Sequence, residues 1–178
     1  MADTTEPNAN ADSDLLQLVT FVVGTEEYAI PILAVQEINR MMAITRVPQS
    51  PPFVEGVINL RGKIIPVIDL RKRFGIDTQT TTGDERIIVV EVNNDGDTRV
   101  LGFTVDRVNE VLRIGRDIVD PAPALATGSE SDYVQGVGKL EDRLLILLAL
   151  ERLFTDEHLA AAAAAAASAP VAQTAAAA

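Results

Sequence analysis

Phe53-Val54-Glu55-Gly56-Val57-Ile58-Asn59-Leu60-Arg61-Gly62-Lys63-Ile64-Ile65-Pro66-Val67-Ile68-Asp69-Leu70 holds two β-branched runs joined at Arg61-Gly62, the signature of a β-hairpin. Eighty residues further on, the chain repeats it. Phe53-Val54-Glu55-Gly56-Val57 returns as Tyr133-Val134-Gln135-Gly136-Val137, and Lys63-Ile64-Ile65-Pro66-Val67-Ile68 as Arg143-Leu144-Leu145-Ile146-Leu147-Leu148. The segments that follow also agree, Leu70 to Phe74 matching Leu150 to Phe154. Only the turns differ: Asn59-Leu60-Arg61-Gly62 in the first copy, Lys139-Leu140-Glu141-Asp142 in the second. A difference confined to one turn points to a task for that turn.

The duplication continues upstream at an offset of seventy-three residues. Tyr28-Ala29-Ile30-Pro31-Ile32 corresponds to Leu101-Gly102-Phe103-Thr104-Val105, and Val35-Gln36-Glu37-Ile38 to Val108-Asn109-Glu110-Val111. Leu16 to Val23 predicts a strand ended by Gly24, Tyr28 to Ile30 a second strand, and Pro31 opens a short helical turn through Leu33. Pro48, Pro51 and Pro52 exclude regular structure before the central hairpin. Arg86 to Val92 and Arg99 to Val105 flank Asn93-Asn94-Asp95-Gly96, a turn whose residues suit positive φ. Pro66 falls inside a strand, so its missing N–H is expected at an edge or a bulge.

Two copies of about seventy residues, each of five or so short strands, predict a mostly β protein: two small five-stranded β-barrels packed together, with short helices between strands. Neither copy buries much core alone, so each leans on the other. The expected organisation is a disordered acidic leader over 1–14, a folded unit over 15–157 and an Ala-rich low-complexity tail over 158–178. Within the unit, 15–77 and 84–154 are the two copies, which either close separately or exchange strands. The tail is read as a frayed helix continuing from Leu150, a spacer.

The totals exclude more than they assert. With no Cys, disulfides and thiol chemistry are ruled out, and a reducing compartment fits. A net charge of −11 argues against nucleic acid as a partner. No apolar run is long enough for a membrane span, and the N-terminus lacks the pattern of a secretory signal, so a cytoplasmic protein is expected. Enzymatic constellations are missing: the one histidine, His158, borders the tail with no nucleophile nearby, and Asp156 and Glu157 beside it make a poor metal cluster. Phosphate-binding glycine motifs are absent as well. No catalytic residue, metal or cofactor is therefore expected.

Three features carry recognition chemistry. Between Arg40 and Arg73 there are seven basic residues (Arg40, Arg46, Arg61, Lys63, Arg71, Lys72, Arg73) against two acids, Glu55 and Asp69, either a solvated face or a docking patch. Arg61 occupies a turn position that prefers Asn or Asp; it is either plain surface or a planar five-donor fork held on a rigid tip. Glu37 and Ile38, with Met41, Met42 and Ile44, are either core or an apolar partner surface with one charged neighbour.

In Val35-Gln36-Glu37-Ile38, Pro52-Phe53-Val54-Glu55-Gly56-Val57-Ile58-Asn59-Leu60-Arg61-Gly62 and Ile65-Pro66-Val67-Ile68-Asp69-Leu70, the sequence resembles the CheW-like coupling proteins of bacterial chemotaxis, over about Gln17 to Phe154. The resemblance implies two intertwined five-stranded SH3-like barrels around a common core. It implies a non-catalytic adaptor joining the histidine kinase CheA to the cytoplasmic tips of methyl-accepting chemoreceptors in signalling arrays, without direct membrane insertion. Asn59, Arg61 and Gly62 match the family's receptor-binding motif, with Val108 on the wall of the groove that takes the receptor hairpin. Val35, Glu37 and Ile38 match the strand that packs on the kinase's regulatory domain. Leu125 falls where the family often has an aromatic that touches the kinase's other barrel. Two departures stand out: Arg107 where many relatives have Gly, and Leu125 itself, smaller than an aromatic. Less favoured readings are a kinase regulatory domain, a coupling domain fused to a receiver or other CheW-like module of another two-component pathway, and a ligand-binding double barrel or unrecognised hydrolase.

Overall fold

The central repeat forms the hairpin that its residues predict: β4 (Val54–Leu60) and β5 (Lys63–Asp69), with Leu60 paired to Lys63. The remaining strands, in a computed structural model that describes residues 14–77, 82–121, 133–154 and tail positions 160, 162, 164 and 167, follow the same logic. They are β1 (Leu15–Val23), β2 (Glu26–Pro31), β3 (Val35–Arg40), β6 (Arg86–Asn94), β7 (Asp97–Val105), β8 (Arg107–Gly115), β9 (Val119–Pro121), β10 (Val134–Lys139) and β11 (Leu144–Leu148). Single 3₁₀ turns at Ile32–Ala34 and Arg116–Ile118 join β2 to β3 and β8 to β9. Helix α1 (Leu70–Phe74) is capped by the Asp69 carboxylate, which accepts from the Arg71 and Lys72 N–H groups, and it ends on Gly75 at φ 70°. Helix α2 (Leu150–Leu153) is its counterpart in the second copy, with no side-chain cap.

The strands form two curved sheets, ordered β8-β1-β2-β11-β10-β9 and β3-β6-β7-β5-β4. Neither sheet belongs to one copy. The leading hairpin of the first copy, β1–β2, pairs with the trailing strands of the second, and β6–β7 of the second copy is inserted between β3 and β5 of the first, with β4 outside β5. The two crossover seams β2–β11 and β5–β7 are parallel, and every other pairing is antiparallel.

Each sheet encloses its own aliphatic core. One holds Leu18, Ala29, Ile114, Leu145 and Leu147; the other holds Ile58, Ile65, Val67, Ile87 and Val89. A third, larger core lies between the sheets and draws on both, with Phe21, Tyr28, Phe103 and Phe154 inside it and Phe53, Phe74 and Tyr133 packed against it. All seven aromatic residues of the chain therefore serve the seam between barrels rather than a barrel interior. Burial there pushes the Tyr28 hydroxyl up to about 12. At the tail, Ala162 is buried where a spacer would leave it in water.

Local backbone demands explain the repeated Gly. Gly56 sits at a β-bulge with φ +153°, where an added Cβ would meet the Thr45 carbonyl oxygen at 2.3 Å. Thr45 and Val57 exchange backbone hydrogen bonds at 2.8 and 2.9 Å, so the chain after β3 runs hard against β4. Gly136 occupies the same bulge in β10, with the Asp120 carbonyl 2.7 Å from a would-be Cβ. Pro66 also finds its place. Val57 spends its N–H and C=O on Thr45, so its pair with Pro66 needs no hydrogen bond, and the β5–β7 ladder begins only at Val67.

Candidate functional site

The β4–β5 turn holds Arg61 at φ 53° and Gly62 at φ 84°, a two-residue turn with both centres left-handed. Gly62 adopts this freely, whereas a side chain as large as Arg61 is strained by roughly 1 kcal/mol. The β6–β7 turn has the same shape, with Asp95 at 50° and Gly96 at 87°, and Asp tolerates that region. Both turns share a brace. Asn59 Oδ1 accepts from the Gly62 N–H at 2.9 Å, and Asn93 Oδ1 accepts from the Gly96 N–H at 3.1 Å. Asn59 thus shapes the turn, and Arg61 is the residue for which the turn itself gives no reason.

Arg61 is tethered within its own chain. Its Nη1 donates to Glu37 Oε2 at 2.8 Å, while Asn39 Nδ2 donates to Glu37 Oε1 at 2.7 Å. Glu37 and Asn39 project from β3, one edge of the sheet, and Arg61 from the tip of the β4–β5 hairpin that forms the other edge, so the pair spans the barrel mouth. A bulge between Val35 and Glu37 re-aims the carboxylate towards that mouth. The Asn39 and Arg61 hydrogen bonds hold the Glu37 carboxyl below the usual carboxylate range. With its side chain 77% exposed, Arg61 keeps most of its fork towards solvent, while Glu37 is 23% exposed.

Beside this pair lies an apolar stripe. Ile38 is 40% exposed although its cross-strand neighbour Ile88 is fully buried. Met41 is 44% exposed and Leu33, on the 3₁₀ turn before β3, is 95% exposed. Val35 is half-buried against the seam core. The sequence pattern pointed to Val35, Glu37 and Ile38 but passed over Leu33 and Asn39. The Glu-x-Asn spacing on one strand face was the available signal for Asn39.

Val108 lies on the other sheet, in β8, half-buried against the seam core and not in the Arg61 cluster. Val111, three residues on, is 57% exposed. Arg107 is exposed and lines a cleft of about 550 Å³ with Gly24, Glu26, Asp106 and Asn109. Leu125 and His158 lie outside the described residues. The basic stretch is partly neutralised: besides Arg61, Arg71 pairs with Asp106 at 2.6 Å and Lys72 with Glu55 at 2.9 Å. Among the described residues, no group of three or more His, Cys, Asp or Glu is placed to hold a metal ion, and no helix is long and apolar enough to cross a membrane. The arrangement sets a guanidinium on a strained turn, a carboxylate and adjoining aliphatic side chains together on a rigid β frame.

A family model described as the CheW-like domain matches residues 17–158. The chain belongs to the CheW-like family. It is 39% identical to the chemotaxis protein CheW of Helicobacter pylori over 142 residues, 80% of this chain and 83% of that one. It is 40% identical to the chemotaxis protein CheW of Klebsiella aerogenes, covering 81% and 84% respectively. The solved structure of a scaffolding protein CheW from Thermoanaerobacter tengcongensis superposes with a TM-score of 0.71 at 40% identity, covering 80% of this chain and 94% of that chain. The two packed, SH3-like β-barrels are thus a CheW-like fold, and the chain is a CheW-like chemotaxis scaffold.

Proposed function

We propose that this protein is a non-catalytic coupling adaptor, holding the histidine kinase CheA by its regulatory domain and the cytoplasmic tips of methyl-accepting chemoreceptors in one array beneath the membrane. What carries the reading is Arg61. An Arg with a strained backbone and a mostly exposed guanidinium is retained in a turn braced by Asn59, where the like-shaped β6–β7 turn uses Asp. Backbone strain kept at an exposed turn that a smaller residue would serve better is the mark of a binding group. Asn59, Arg61 and Gly62 form the receptor contact, with β8 (Val108 and the exposed Val111) as its second wall. The aliphatic stripe around Ile38, with Val35 and Glu37, meets the kinase, and Leu125 supplies the second kinase contact. The array would build avidity from such modest contacts.

The test separates the two surfaces. Arg61→Ala melts normally and loses co-sedimentation with receptor, while Ile38→Asp loses affinity for the kinase regulatory domain in a titration. Wild-type receptor binding by a normally melting Arg61→Ala, or wild-type kinase affinity of Ile38→Asp, removes the corresponding assignment.

A further inference from the structure

The Glu–Arg tie across the first barrel has a counterpart in the second. Glu110 is the repeat-mate of Glu37, seventy-three residues on, and it too follows a β-bulge, where the β1–β8 register shifts and leaves Asn109 unpaired as Gln36 is in β3. Arg143, at the end of the β10–β11 turn, donates from Nη2 to Glu110 Oε1 at 2.6 Å. Its Nε lies 2.8 Å from Glu27 Oε2 on β2, an ion pair without hydrogen-bond alignment, and Asp142 adds a contact at 3.6 Å. Asn109 donates to the other Glu27 oxygen at 3.1 Å, so the bulge residue is held as well. The Glu110 and Glu27 carboxylates raise the Arg143 pKa above its ordinary value.

Exposure distinguishes the two ties. The Arg61 side chain is 77% exposed, that of Arg143 35%, with three carboxylates around it. Arg143 has little left to offer a partner. What it does hold is β8, an edge strand with no neighbour beyond it among the described residues of its sheet. At the bulge, β8 is otherwise secured by fully buried Thr20, whose Oγ1 donates to the Glu110 carbonyl at 3.1 Å and accepts from the Glu110 N–H at 3.2 Å. Val108 and Val111 stand on either side of that point.

We propose that Arg143 is a positioning residue: by bridging Glu27 on β2 to Glu110 on β8, it fixes the bulged edge strand whose outer side chains form one wall of the receptor groove. This rests on the adaptor reading above. An Arg fork can satisfy both carboxylates together, and a Lys point charge cannot do so with the same geometry.

The experiment uses the full chain as wild type, Arg143→Ala, Arg143→Lys and Glu110→Gln. Each is titrated with a soluble cytoplasmic fragment of a methyl-accepting chemoreceptor and, separately, with the kinase regulatory domain; amide exchange is followed along β8. Arg143→Ala is expected to weaken receptor binding about threefold or more. Kinase affinity stays within about twofold, and exchange quickens at residues 108–112. Arg143→Lys recovers part of the loss. Glu110→Gln, which removes only the charge at the β8 end of the tie, reproduces part of the loss and decides the matter should Arg143→Ala fail to fold. Receptor affinity and β8 exchange unchanged in Arg143→Ala and Glu110→Gln would overturn the proposal. So would an equal loss for both partners with a lowered melting point, which marks a plain structural role. A wild type that binds no receptor fragment would instead sink the adaptor reading, and β8 exchange alone would then decide whether Arg143 positions the strand.

Discussion

At position 61, what the turn favours and what the chain carries are in conflict. A turn with two left-handed centres is best served by Asn-Gly, and at this position the chain carries Arg-Gly. Arg61→Asn is therefore expected to keep the turn and relieve strain of about 1 kcal/mol, against the loss of a solvent-screened surface ion pair, which contributes little. The melting temperature should hold or rise by a few degrees, roughly. Receptor binding should fall about tenfold or more, as for loss of a charge-assisted contact. A variant that melts lower and binds normally would reverse both assignments. Glu37 gives a second reading of the same cluster. Its folded pKa is depressed by Asn39 and by Arg61, below the ordinary glutamate value of about 4.3. The tie thus adds stability above that ordinary value and loses it as pH falls through the depressed one. Carboxyl NMR should place the midpoint below the ordinary range, and Asn39→Ala or Arg61→Ala should each move it upward. Arg61 stood out as a candidate because its turn differed between the copies. Its tether to Glu37 was not, since nothing in one-dimensional spacing shows that residues twenty-four apart face each other over a barrel mouth.

Elements were legible where turn chemistry was explicit. Arg61-Gly62 and Asp95-Gly96 announced their hairpins, and Pro31 its 3₁₀ turn. The bulges were harder to see, because a bulge is a relation between strands. The Gly of Phe-Val-Glu-Gly-Val and Tyr-Val-Gln-Gly-Val recurs because another segment presses against β4 and β10 at that point, Thr45 in one barrel and Asp120 in the other. Gly56→Ala is the sharper test. It combines a disallowed φ with a Cβ driven into a backbone carbonyl that cannot rotate away. Destabilisation of about 2–4 kcal/mol is expected, a fall in melting temperature of roughly 5–15 °C for a chain of this size. A melting temperature within about 2 °C of wild type would mean that the bulge relaxes and that Gly56 has another purpose.

On the scale of the whole molecule, the repeat told of two barrels but not of how the chain is shared between them. Hydrophobic period and turn residues act locally, while the choice between closing on one's own copy and pairing with the other is made by the seam core. That core needs Phe21 and Tyr28 of the first copy opposite Phe103 of the second, with Phe154 completing it. Exchange of the leading hairpins brings this about and leaves contacts such as Thr20 to Glu110, ninety residues apart, within single sheets. A fragment covering 15–77 would then expose both sides of β1–β2 and leave β3 and β5 without β6 and β7 between them. Such a fragment is expected to be unfolded by far-UV circular dichroism, and one covering 84–154 likewise. Mixing the two should recover the β signal, because every seam in the intact chain joins residues from different halves. The whole chain should melt in one transition, since neither barrel can lose its strands without opening the other. Two separate transitions, or a fragment that folds alone, would show barrels that close within their own copies and only afterwards dock.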